Sequence, residues 1–157
     1  MKEGFTMNAT PRSRLLFTRP LYLSILLATT IELINFIIFG FLLPGEGSLL
    51  EAFLWTVAIG GIGLGSVLGV LIDIVVIGNT KSKDARWLTV MLSALTLGLV
   101  AKLFTLNMGE SAQALGVAEW PVLYVVAGVV LSVVGGAILG WLLFTKDGNQ
   151  LLERYNF

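Results

Sequence analysis

The chain has 157 residues, 56% of them hydrophobic and 13% charged, with ten Lys and Arg against ten Asp and Glu. A soluble domain carries about 25% charged residues, so this much apolar surface exceeds what one water-soluble core buries, and the balanced charge points away from nucleic acid. With no cysteine and no histidine, the sequence excludes disulfides, thiolate chemistry, the usual zinc and copper sites and histidine-ligated haem.

Residues 1–19 are polar and basic, with Pro11 and three arginines, and read as a cytoplasmic N-terminal segment. The first apolar run, Pro20 to Leu43, holds twenty-four residues and closes at Pro44-Gly45. It is too long for the apolar region of a secretory signal, about 7–15 residues, and reads as a retained span. A second run covers about 52–77, with its beginning anywhere between Leu49 and Phe53, and closes at Gly78-Asn79. A third covers about 87–106, and a fourth, opening with Trp120-Pro121, covers about 120–144. Each meets the roughly 20 apolar residues needed to cross hydrocarbon about 30 Å thick. Lipid offers backbone groups no partners, so each run is expected to be a helix. The tail, residues 145–157, is taken as a frayed cytoplasmic terminus with room for one or two amphipathic turns.

The basic residues set the orientation. Lys2, Arg12, Arg14 and Arg19 precede the first span, Lys81, Lys83 and Arg86 separate the second from the third, and Lys146 and Arg154 follow the fourth. The other two connections carry Glu46, Glu51, Glu110 and Glu119 and no lysine or arginine. The side with the basic residues is assigned to the cytoplasm. Tyr22, Trp87 and Trp141 are expected at the inner interface and Trp55, Trp120 and Tyr124 at the outer one. The expected fold is an all-α membrane protein: a four-span antiparallel transmembrane helix bundle with both termini cytoplasmic, in a bacterial-type inner membrane, a plasma membrane or a thylakoid.

Small residues line two helix faces. On the second span Gly61, Gly65 and Gly69 recur every four residues, with Gly60, Gly63 and Ser66 beside them. On the fourth, Gly128, Ser132, Gly136 and Gly140 do the same, with Gly135 adjacent. Four-residue spacing keeps each set on one face. Such faces admit close backbone approach, inside the bundle or between subunits, and this is the expectation; a permeation path or sliding surface is the alternative.

Three ionisable residues fall within the spans: Glu32, Asp73 and Lys102. Each costs about 2.5–3.5 kcal/mol on insertion scales, so each calls for a partner or a purpose. At 1.5 Å per residue, Glu32 lies roughly 18 Å and Lys102 roughly 22 Å from the inner edge, close enough to meet across the first and third spans. Asn35, one turn beyond Glu32, is placed to add a hydrogen bond. The expected arrangement is a static salt bridge. A proton or ion relay is an alternative, as is an outward-reaching Lys102 that leaves Glu32 to a partner subunit. Asp73 is only about 7 Å deep, within reach of Arg86, Lys81, Arg19 or headgroup water.

No metal site, cofactor or catalytic residue is expected. The first functional expectation is a non-enzymatic structural or accessory subunit of a larger membrane assembly, with the lipid bilayer, other membrane subunits or copies of itself as partners. The alternative is a small oligomeric proton- or ion-coupled transporter or channel using Glu32, Lys102 and Asp73. A lipid-processing enzyme has no visible nucleophile–base pair to work with.

Overall fold

The computed structural model describes residues 19–43, 45–77 and 82–155. The N-terminal segment with Lys2, Arg12 and Arg14, the turn residue Pro44, the Gly78-Asn79 turn with Lys81, and the last two residues lie outside the described residues.

Among the described residues the structure is helical and contains no strand. Four helices are long and apolar enough to cross a membrane: α1 (Arg19–Leu42), α2 (Leu49–Ile77), α3 (Asp84–Leu106) and α5 (Pro121–Phe144). The chain is thus a multi-pass membrane protein by length and composition. The backbone widens into π-helical turns at Ile37–Leu42, Thr56–Gly63, Ile72–Ile77 and Ala94–Val100.

Helix starts differ from the hydropathy boundaries for a local reason. The second helix begins at Leu49, the early end of the expected range, because the Ser48 hydroxyl accepts a hydrogen bond from the Glu51 backbone N–H at 3.3 Å. Ser48 and Glu51 have the spacing of a capping box, and the Glu51 carboxylate stands at the favourable end of the helix dipole. The third helix likewise has a polar first turn with Asp84 in it, ahead of the expected start at Trp87.

Among the described residues, two further helices lie outside the spans. The connection from residue 107 to 120 contains α4 (Gly109–Ala114). Its Ser111, Ala112 and Ala114, followed by Leu115 and Val117, are buried against the ends of the spans. Gly116 turns the chain at φ +66° with its backbone against the Leu43 carbonyl, where a side chain has no room.

The tail is not frayed over its described part: it forms α6 (Lys146–Arg154). Thr145 caps it, its Oγ1 accepting from the Gly148 N–H at 3.1 Å while donating to the Trp141 carbonyl at 2.7 Å. Asp147 in the first turn and Arg154 in the last both suit the dipole. Leu152 is buried against the bundle while Asp147, Gln150 and Glu153 face out.

The apolar core is in two parts. One cluster gathers Leu23, Ala28, Ile31, Leu68, Ile72, Val76, Ala85, Leu97, Leu139 and Leu152. The other gathers Phe36, Phe39, Ala52, Ala112, Ala114, Leu115, Val117 and Tyr124. Along α1 the gap between them falls between Ile31 and Phe36, where Glu32 stands. Along α3 it falls after Leu97, where Lys102 stands. Outside the core, large apolar side chains such as Leu26, Ile62, Met91, Val122 and Ile138 are exposed on every span, as hydrocarbon surroundings require.

Candidate functional site

The four spanning helices come close because glycines on one helix receive the backbone and side chains of the next. On α2, a Cβ at Gly61 would lie 3.0 Å from Thr29 Cα, one at Gly65 2.8 Å from Ile25 Cα, and one at Gly69 2.6 Å from Leu21 Cα. The whole Gly61, Gly65 and Gly69 face is therefore spent on α1. On α5, Gly136 meets Ser93 and Val90, Gly140 meets the backbone of Arg86, and Gly98 of α3 meets Val129. Ser132 is fully buried on this face, and its carbonyl accepts a hydrogen bond from the Ser93 hydroxyl at 2.9 Å. Gly135 adjoins Ile31 and Leu27 of α1. Small-residue faces are thus packed within the chain itself, where close approach substitutes for the hydrophobic drive that lipid does not supply.

Glu32 and Lys102 are in direct contact at the centre of this packing. The Lys102 ammonium donates to both carboxylate oxygens, at 2.7 Å to Oε1 and 2.6 Å to Oε2. Both residues are shut away, Lys102 at 0% and Glu32 at 2% exposure. It is the one ion pair among the described residues.

Each spanning helix contributes to the enclosure. From α2, Gly60 leaves room for the Glu32 stem, whose Cγ is 3.0 Å from where a Cβ would be. From α5, Gly128 does the same for Lys102, whose Cε would lie 2.5 Å from an added Cβ. Tyr124, one turn before Gly128, sets its ring 5.1 Å from the ammonium, a cation–π contact worth about 2 kcal/mol when water is excluded. Tyr124 packs edge-on against Phe39 at 5.0 Å.

Two sequence expectations are corrected here. Asn35 does not supplement the pair: its amide donates to the Ile31 carbonyl at 3.2 Å, and its Oδ1 is buried without a partner. The helix geometry accounts for this, since a side chain four residues on reaches back to the carbonyl of the preceding turn. Tyr124 is not an interfacial aromatic, being buried at 2% exposure over Lys102. The signal that marks it is its place four residues before Gly128, which extends the small-residue face by one step. Trp55, expected at the outer interface, stacks on Phe104 of α3 at 5.3 Å.

Asp73 stands apart. It is half-buried near the end of α2 and makes no ion pair among the described residues. Arg19 and Arg86 are exposed, and Lys81 lies outside the described residues.

No family model matches this chain, and no curated protein or solved structure does either.

Proposed function

We propose that the chain is a non-enzymatic structural or accessory subunit of a larger membrane assembly, with a permanent Glu32–Lys102 ion pair fixing the mutual register of its helices. The observation that carries this reading is the closure of the pair. Its two charges satisfy each other, four helices surround it, and apolar clusters lie on both sides along the helix axes. A carrier needs its midplane charge to meet alternate sides of the membrane; here both charges are already spent. What remains available is the lateral surface, apolar on every span, which suits contact with lipid and with other membrane-embedded chains.

In this reading the bundle is antiparallel with both termini cytoplasmic. The contacts support that sense: Gly60 to Gly69 descend α2 as Glu32 to Leu21 descend α1, and Gly128 to Gly140 oppose Lys102 to Arg86. The basic residues then collect at one end. Because the chain has no cysteine, single cysteines introduced at Glu110 and at Arg154 provide a clean test. A membrane-impermeant maleimide applied to intact cells labels Glu110→Cys and spares Arg154→Cys if the orientation holds, and the reverse pattern overturns it.

The subunit role is tested by solubilising native membranes in mild detergent and purifying the chain. Stoichiometric companion chains, or a defined homo-oligomer, are expected. A lone four-helix monomer after cross-linking in the membrane contradicts the proposal.

A second reading, a small proton- or ion-coupled transporter using Glu32, Lys102 and Asp73, draws on one observation. The π-helical turns at Thr56–Gly63 and Ala94–Val100 flank the pair, and such turns recur at functional sites. Its test is flux in proteoliposomes. pH-linked transport that disappears in Glu32→Gln while the protein remains folded establishes this reading and removes the first.

A further inference from the structure

The surface between α3 and α5 is not uniform. Near the start of α3 and the end of α5, a groove of about 460 Å³ is lined by Arg86, Trp87, Val90, Val133, Ala137 and Trp141. It exists because the helices are drawn together there. Gly136 abuts Val90 and Gly140 abuts Arg86, and beside that contact the wall residues on α5 are a valine and an alanine. The two tryptophans stand proud of it, Trp87 at 71% and Trp141 at 42% exposure.

The chemistry of the groove is ordered along its length. Val133, Ala137 and Trp141 are spaced by four residues and share one face of α5. They span about 12 Å at 1.5 Å per residue, most of the hydrocarbon depth of one leaflet. One end of this furrow is wholly apolar. The other has the exposed Arg86 guanidinium, which makes no ion pair among the described residues, beside two indoles of the kind that settle at headgroup level. Lys146, exposed at the first position of α6, adds positive charge at the same end. Asp84 and Asp147 are exposed nearby, and neither lines the groove.

We infer that this groove is a binding site for one anionic glycerophospholipid of the leaflet that meets Arg86. The guanidinium takes the headgroup phosphate through paired N–H donors, a geometry for which arginine is suited. One acyl chain lies along Val90, Val133 and Ala137. A phospholipid carries phosphate above hydrocarbon in the same order as the groove carries arginine above valine and alanine. A free phosphate would leave the apolar length unused, and a protein helix would need an acidic residue placed at the membrane boundary. In the proposed orientation the leaflet is the cytoplasmic one, where anionic lipids and basic pockets between helices meet.

The test uses the full chain in vesicles with Trp55→Phe and Trp120→Phe, leaving Trp87 and Trp141 as reporters. Acyl-brominated phosphatidylglycerol and phosphatidylcholine are compared as quenchers. The site predicts a preference for phosphatidylglycerol of about fivefold, the factor that one basic residue near anionic headgroups supplies. Arg86→Gln should remove the preference, Arg86→Lys should keep part of it, and Ala137→Leu should remove it by filling the groove with Arg86 intact. Arg86 and Ala137 are both exposed, so the variants fold, which an unchanged elution profile and circular dichroism verify. Equal quenching by the two lipids overturns the inference, as does an undiminished preference in Arg86→Gln. Loss of the preference on adding inorganic phosphate identifies a free-anion site and overturns the lipid assignment.

Discussion

The joints inside each helix pair differ from the joint between the pairs. Helices α1 and α2 meet along Gly61, Gly65 and Gly69, and α3 and α5 meet along Gly98, Gly136 and Gly140, both by close backbone packing with no ion pair among the described residues. Between the pairs stands the Glu32–Lys102 contact, with Gly135 against Ile31 and Leu27 beside it. Packing of small residues tolerates sliding by a turn, because one glycine presents much the same surface as the next. A buried ion pair does not, since displacement by one turn of about 5.4 Å strands both charges. Close packing thus joins each pair, and in the proposed reading charge fixes how the pairs are set against each other.

This contrast can be broken from the charge side first, where the effect is largest. Lys102→Met leaves Glu32 buried beside an apolar chain, and the expected loss is about 3–5 kcal/mol of unfolding free energy in bicelles. A loss below about 1 kcal/mol would mean that lipid headgroups or water reach Glu32 after all. On the packing side, Gly65→Ala places a methyl 2.8 Å from both Ile25 Cα and Ala28 Cβ. The backbones must part, at a cost of about 1–3 kcal/mol. Gly63→Ala on the same helix provides the control: its nearest neighbour would be the Ala58 carbonyl at 3.5 Å, and the change should stay within about 0.5 kcal/mol. If the two glycines respond alike, the close approach at Gly65 is not what holds the pair together.

Smaller effects sharpen the picture. Ser93→Ala removes the hydrogen bond to the Ser132 carbonyl, and interhelical bonds of this kind in a membrane average about 0.6 kcal/mol. Asp73→Asn, at a half-buried carboxylate with no ion pair among the described residues, should alter stability by no more than about 0.5 kcal/mol. An effect as large as that of Lys102→Met would give Asp73 a structural role that its surroundings do not explain.

Much of this architecture is legible in the residues. The four apolar runs announce helices because lipid leaves the backbone no other way to satisfy its polar groups. The two small-residue faces are visible as four-residue repeats. What repeats alone leave open is which neighbour each face meets. The proximity of Glu32 and Lys102 follows from helix rise, a quantity that sequence position fixes well. Helix rise does not settle the partner of Asn35, because the choice between the carboxylate and the carbonyl of the preceding turn depends on a rotamer. The place of Tyr124 is not legible in the sequence, because an aromatic near a span end has two homes, the interface and the core, and only the neighbouring helices decide. Helix α4 leaves no apolar run, and the tail shows room for an amphipathic turn or two without showing that α6 is ordered. The first is held by buried residues in and just after it, such as Ala112 and Leu115, and the second by the Thr145 cap and buried Leu152, which no apolar run reveals.

The most direct test of the central claim is a double-mutant cycle on the pair, with Glu32→Gln, Lys102→Met and the combined variant unfolded in the same bicelles. A fixed, mutually satisfied pair predicts a coupling of about 1–3 kcal/mol, with the double variant clearly more stable than the sum of the single losses implies. Losses that add to within about 0.5 kcal/mol would show that the two charges do not depend on each other, and the register-fixing role of Glu32 and Lys102 would be contradicted.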